Sequence, residues 1–365
     1  MDLRSLVLCL CVLGADQSPA TFMDYDYGGV PITINRMLGE PSVMSLRGRI
    51  DAGWLRTVNP QSCPLECECP IQWPSALYCD NRGLRYVPPT LPPRTEYLFL
   101  QGNRISGLPA GVFSNTSLVR WLFLDHNQLA SDQVASMTLA QLPRLKNLFL
   151  NHNNLTDIPS RLPGGLKQLR LAHNKIAKIS PEAFGNLHNL TVLLLHGNQL
   201  KTIGEADFKG LHSIILLDLS HNHLEEFPKN LPPSVRQLYV SNNSLSALPA
   251  GCLAGFDSLE YLRISHNGLQ DKGIAEGVFN VSSIVELDLS YNQLTSIPLV
   301  PESLQYLYLE ANLIQEFNVT SFCRSVSPLR FSRMRILRLD GNRLSYHQLP
   351  PNWVQCLRVL RAIYV

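Results

Sequence analysis

One asparagine recurs along this chain, at Asn103, Asn127, Asn153, Asn174, Asn198, Asn222, Asn243, Asn267, Asn292, Asn312 and Asn342, at intervals of 20 to 30 residues. Aliphatic residues stand five and three positions before each and two after it, from Leu98, Leu100 and Ile105 to Leu337, Leu339 and Leu344. Eleven copies of LxLxxNxL in register restrict the chain to a repeat architecture. Each unit is too small to enclose its own apolar residues, so it completes its core against the next.

The motif is the leucine-rich repeat. LxL reads as a short strand whose leucines point inward while the residues between them point out. The asparagine sits where the chain leaves the strand, and its amide both donates and accepts, so it can bond adjacent turns. Shorter coils return through proline-rich stretches such as "VPPTLPPRTEYL" and "FPKNLPPSVRQL", which cannot be regular helix. Longer coils place Phe113, Phe184, Phe208 and Phe279 on the return path. The expected fold is an α/β solenoid: a curved leucine-rich repeat array with a parallel β-sheet on its concave face. Its convex side is mostly extended, polyproline-like or short helix, and disulfide caps close both ends.

"LLDLSHNHL" from Leu216 invites a catalytic or metal reading, but its near-copies "WLFLDHNQL", "QLRLAHNKI" and "YLRISHNGL" mark it as architecture. Histidine precedes the asparagine at His126, His152, His173, His221 and His266, and the first three stand in successive coils. Gly102, Gly197, Gly341 and Ala311 take the same place elsewhere, so no metal is assigned there. The pairs Ser220/His221 and Ser265/His266 are strand neighbours pointing to opposite sides, with no third member positioned. Without a phosphate loop or paired catalytic carboxylates, the chain reads as a non-enzyme needing no cofactor.

Arg4, the apolar run Leu6 to Leu13 and the small residues after it read as a secretory signal over about residues 1–18. That run is too short to span a bilayer, so no membrane insertion is expected. A formal net charge of +2 argues for no nucleic-acid partner. Residues 19–62 lack the repeat and read as a flexible extension, in which Tyr25 and Tyr27 sit beside Asp24 and Asp26, a setting for tyrosine sulfation. Residues 63–94 form a cysteine-rich cap holding Cys63, Cys67, Cys69 and Cys79, residues 95–345 the ladder coils, and residues 346–365 a C-terminal cap. In a secreted chain these cysteines are read as disulfides before zinc ligands. Cys323 and Cys356 flank the longest interval, which suggests one protruding coil pinned by a disulfide. Cys252 is left over, either as a buried thiol where sister coils put a core residue, or as an intermolecular half-cystine.

The spacing C-x3-C-x-C-x9-C, with "YCDNRGLRYVP", "SIILLDLSHNHL" and "FNVSSIVELDLSYNQL", resembles the small leucine-rich proteoglycans of extracellular matrix. The match lies in the branch that holds fibromodulin, lumican and keratocan, leaning to the fibromodulin side with the lumican side next. The resemblance implies the pairs Cys63–Cys69, Cys67–Cys79 and Cys323–Cys356, the last around the family's "ear" coil. Sequons stand at Asn115, Asn154, Asn189, Asn242, Asn280 and Asn318. The family uses the positions of Asn115, Asn154, Asn189 and Asn280 for N-linked sugars, some extended as keratan sulfate, whereas Asn242 and Asn318 are less typical of it.

Between the leucines, the outward strand positions carry Tyr97, Phe99, Trp121, Phe123 and Phe149, then Tyr239, Tyr261, Arg263, Glu286, Asp288, Tyr308 and Arg338. An aromatic end grading into a mixed-charge end suits an elongated protein partner. The resemblance implies a secreted matrix protein that binds fibrillar collagen through this face and regulates fibril assembly and spacing. The alternative is a soluble modulator that holds a growth factor, such as transforming growth factor beta, or a receptor; dimerisation through the face is compatible with either. After the last ladder asparagine the family carries a charged pair linked to collagen binding, where this chain has Arg343 and Ser345.

Overall fold

The computed structural model describes residues 63–70, 72–325 and 330–365. The expected signal segment and the extension with Tyr25 and Tyr27 lie outside the described residues. Thirteen three-residue strands run in sequence order through one parallel sheet. They are β1 (Ala76–Tyr78), β2 (Tyr97–Phe99), β3 (Trp121–Phe123), β4 (Asn147–Phe149), β5 (Gln168–Arg170), β6 (Val192–Leu194) and β7 (Leu216–Asp218). The series continues with β8 (Gln237–Tyr239), β9 (Tyr261–Arg263), β10 (Glu286–Asp288), β11 (Tyr306–Tyr308), β12 (Ile336–Arg338) and β13 (Ala362–Tyr364). The sheet thus outruns the eleven asparagine coils by one strand at each end. β1 is not followed by the asparagine that marks β2 to β12.

The central residue of every strand from β1 to β12 is a leucine with no exposed surface, from Leu77 to Leu337. Leucine pairs with leucine across each interface, for example Leu98 with Leu122 and Leu287 with Leu307. A one-residue slip would send that whole column to solvent, so the hydrophobic pattern fixes the register. Phe113, Phe184 and Phe279 fill the core on the return side and are fully buried. The return path is extended chain and single 3-10 turns, such as Ser131–Gln133 and Asp271–Gly273. A four-residue α-helix, Trp353–Cys356, is the one α-helix among the described residues.

The asparagines act as rungs between side chain and backbone. Asn127 Nδ2 donates to Leu100 O of the preceding coil (3.0 Å) and Leu124 O of its own (3.1 Å), while Oδ1 accepts from Ile105 N (3.0 Å). The same set repeats from Asn153 to Asn342. The residue before each ladder asparagine is left-handed, with φ from 51° to 74° over His126, His152, His173, His221, Asn242, His266, Tyr291, Ala311 and three glycines. Non-glycine residues tolerate that region poorly, but histidine and asparagine are enriched there. This is the physical role of the histidines: they occupy an obligatory left-handed corner.

Disulfides Cys63–Cys69 and Cys67–Cys79 tie the front of the array, and Cys323–Cys356 ties the back. The front segment also pairs antiparallel with β1 through Glu68 and Tyr78, which covers the first sheet edge. Cys252 is a free thiol, half-buried rather than core. "LPAGCL" aligns on "LPAGVF", so Leu253 fills the Phe113 position and Cys252 takes that of Val112, one residue short of the core site.

Candidate partner-binding face

Strand residues on either side of each buried leucine line the open face of the sheet. Parallel strands in register bring like positions about 5 Å apart, so flat side chains at one position must stack. The third residue of successive strands forms such a column. Tyr78, Phe99, Phe123 and Phe149 stack with centroids 4.7, 4.7 and 4.4 Å apart, and the Arg170 guanidinium lies 4.8 Å over Phe149. The first position adds Trp73 against Tyr97 at 4.7 Å and Tyr97 against Trp121 at 6.3 Å. Tyr97, Phe99 and Phe149 are each only 6% exposed, while Trp121 and Phe123 remain half-exposed. Trp73, Tyr78 and Arg170 were not among the residues expected on the face. The first two belong to the cap, and only the register of β1 shows that "LYC" stands where later coils have LxL.

The charged half is built from pairs. Arg263 donates to Glu286 Oε1 from Nε (3.0 Å) and Nη2 (2.8 Å) and lies 5.2 Å over the ring of Tyr239. Arg338 reaches Asp340 at 2.8 Å, Glu310 at 3.3 Å and the Tyr364 ring at 5.6 Å. The hydrogen bond from Arg338 holds the Asp340 carboxyl below the usual carboxylate range, whereas burial pushes Glu310 up. Burial also raises the phenols of Tyr239 and Tyr308. Tyr239 and Glu286 are buried, at 3% and 7% exposure. Tyr261, Arg263, Asp288, Tyr308 and Arg338 stay half-exposed. Asp288 spends one carboxylate oxygen on Ser290, accepting from its N (3.0 Å) and Oγ (2.6 Å). Between the halves, His196 Nδ1 and Asp218 Oδ2 lie 3.1 Å apart, both buried. Asp218 is the outward residue after Leu217 in β7, whereas no repeat position marks His196. The cross-strand pairing that joins them is a register effect.

The rings of His126, His152 and His173 stack at 4.2 and 4.4 Å. Parallel rings set their nitrogens side by side instead of converging them, and no group among the described residues could hold a metal ion. At the two Ser–His neighbours, the Ser265 hydroxyl donates to Ser241 Oγ (2.9 Å) while His266 stacks on Tyr291 at 4.0 Å. His221 lies 3.3 Å from the Asn242 amide. Ser345, which stands where the family's charged pair would continue, caps the turn Tyr346–Gln348 through the Gln348 side chain.

Among the sequons, Asn115, Asn189, Asn280 and Asn318 are exposed. The first three lie just ahead of β3, β6 and β10, on one rim of the sheet. Asn154 and Asn242 are half-buried on the strand-exit rim, Asn242 at a left-handed corner. Asn318 Oδ1 accepts from Thr320 N (3.0 Å) and Oγ1 (2.7 Å).

Comparison with known proteins follows this geometry closely. The leucine-rich repeat family matches at residues 164–224 and the leucine-rich repeat N-terminal domain at residues 62–92. Lumican of Gallus gallus is 46% identical over 302 residues, covering 82% of this chain and 88% of its own. Lumican of Homo sapiens is 45% identical across 100% of this chain and 99% of its own, and fibromodulin of Bos taurus is 45% identical across 84% and 81%. The chain belongs to the lumican and fibromodulin branch of the small leucine-rich proteoglycans. That family is one of structural, extracellular-matrix proteoglycans, and identities this even do not favour its fibromodulin side. Among solved structures, a chain of the octameric complex of Latrophilin 3, Unc5D and FLRT2 has a TM-score of 0.66 at 28% identity, covering 82% of this chain and 83% of its own. An internalin of Listeria monocytogenes shares the fold alone, at TM-score 0.62 and 20% identity, covering 79% of each chain. No helix among the described residues is long and apolar enough to cross a membrane.

Proposed function

We propose that this protein binds fibrillar collagen through the open face of its sheet and limits the lateral growth of the fibril. N-linked sugars on the strand-entry rim would set the spacing between fibrils. The observation behind this reading is the continuous column from Tyr78 to Arg170, followed by the half-exposed set Tyr261, Arg263, Asp288, Tyr308 and Arg338. A rigid triple helix presents imino rings and scattered charges along a line. A row of rings continued by charged groups complements such a rod better than it would a small molecule. Because strand pairing and stacking fix the face in advance, little conformational entropy is lost on docking. The protein acts by binding, and no residue on the face is assigned to catalysis.

The test is co-sedimentation of the full secreted chain with reconstituted collagen fibrils, before and after N-glycan removal, with fibril diameter measured by electron microscopy. Saturable binding that survives deglycosylation, narrows the fibrils and is lost in Trp121→Ala/Phe123→Ala supports the reading. Unchanged fibrils and no binding would replace it with the soluble growth-factor or receptor modulator.

A further inference from the structure

Several arginines on the sheet and its rims are matched to carboxylates. Arg82 pairs with Glu68, Arg120 with Glu96, Arg236 with Glu260, Arg263 with Glu286, and Arg338 with Asp340 and Glu310. Arg85 and Arg104 are not among them. They project from the first two coils on the strand-exit rim and, with Ser106 and Gln128, line an open cleft of about 380 Å³. The cleft contains no carboxylate, and no ion pair among the described residues takes either guanidinium. All four side chains are exposed. Their backbones are fixed coil to coil by Arg104 N to Leu84 O (2.7 Å) and Gln128 N to Ile105 O (2.9 Å).

We infer that this cleft is a binding site for the sulfate esters of a sulfated polysaccharide, separate from the collagen-facing sheet. Two guanidinium forks on successive coils match a tetrahedral oxyanion, which accepts bidentate hydrogen bonds from each. The Gln128 amide and the Ser106 hydroxyl supply neutral donors for its remaining lone pairs. With a net charge of only +2 the chain lacks a general attraction for polyanions, so recognition must come from local geometry. The cleft opens on the rim opposite the sequons Asn115, Asn189 and Asn280. A bound polysaccharide would therefore not compete with sugars carried there.

The experiment titrates the full secreted, enzymatically deglycosylated chain with a fluorescent heparin oligosaccharide and, in a second arm, with hyaluronan of matched length. Hyaluronan carries carboxylates but no sulfate. The wild-type chain should bind the sulfated sugar, more weakly as salt rises, and hyaluronan far less. Arg85→Gln/Arg104→Gln should weaken binding by about tenfold or more. Lys175→Gln/Lys201→Gln removes the same charge from the same rim and should change it by no more than about twofold. Both lysines and both arginines are exposed, so folding is preserved, and unchanged thermal unfolding verifies it. Equal binding of the two sugars, equal losses in the two double variants, or no loss in the arginine variant would each overturn the assignment.

Discussion

Asn222→Ala tests the element that joins one coil to the next. Asn222 is 5% exposed. Its amide nitrogen donates to Leu195 O, Leu219 O and Ser220 O, each at 3.0 Å, and its oxygen accepts from Leu200 N at 3.0 Å. Alanine leaves the Leu200 N–H without a partner in the interior, while Leu195 O keeps Asn198 Nδ2 (2.9 Å) and Leu219 O keeps Asn243 Nδ2 (3.1 Å). The buried orphan costs roughly 1–3 kcal/mol and the weakened carbonyls add about 1 kcal/mol, so the variant should lose about 2–4 kcal/mol. Asn342 makes the same kind of bonds to Leu309 O and Leu339 O, but it is only half-buried in the last coil. Water replaces part of what is lost there, and Asn342→Ala should cost about 1–2 kcal/mol. Asn222→Asp separates donor from acceptor. The carboxylate still accepts from Leu200 N but faces three carbonyl oxygens, and burial with that repulsion raises its pKa in the folded state. A group whose pKa is raised on folding binds protons better when folded, so this variant should regain stability as pH falls through the raised value. Equilibrium urea unfolding under non-reducing conditions, followed by circular dichroism, measures all three. If Asn222→Ala cost no more than Asn342→Ala, or if acid weakened Asn222→Asp further relative to the parent, the rung argument would fail.

Ala311 stands in the left-handed corner with φ of 53° and makes no ring stack, so Ala311→Gly should stabilise by about 0.5–1 kcal/mol, the relief of strain exceeding glycine's entropy cost; thermal unfolding would show it. Arg338→Gln should return the Asp340 carboxyl toward its ordinary range and raise Glu310 further. Because Asp340 titrates low when folded, its share of stability is present above about pH 4 and lost as pH falls. Parent and variant unfolding curves should therefore converge in acid, and carboxyl NMR titration assigns the groups. Burial pushes the Cys252 thiol up to about 11. Iodoacetamide at neutral pH should then leave it largely unmodified in the folded chain and label it in denaturant, as mass spectrometry would report. Replacing both Cys323 and Cys356 by serine opens a bridge spanning 33 residues and should cost roughly 3–4 kcal/mol, seen as a lower urea midpoint.

The repeat pattern was enough to specify the strand position, its inward leucine, the rung and the parallel order, because stacking identical units leaves the hydrophobic face only one register. Composition also marked the proline returns and the core phenylalanines. Sequence alone left the histidines of the strand exit without a role. Their residue type became intelligible only when the backbone showed a left-handed corner at His126, His152, His173, His221 and His266. It also placed Cys252 in the core, which a one-residue offset against Val112 corrects.

What the amino-acid sequence determined about this protein is the architecture, since a short-range pattern repeated many times encodes its own long-range contacts. What only the tertiary structure decided is which outward residues remain reachable. Phe99 and Phe149 are spent on stacking while Trp121 and Phe123 are half-open, Glu286 is taken by Arg263, and His196 meets Asp218. Arg85 and Arg104 share a cleft without a carboxylate. Those outcomes depend on side chains of neighbouring coils some two dozen residues apart. A periodic motif specifies where such side chains stand but not which of them are left with a partner.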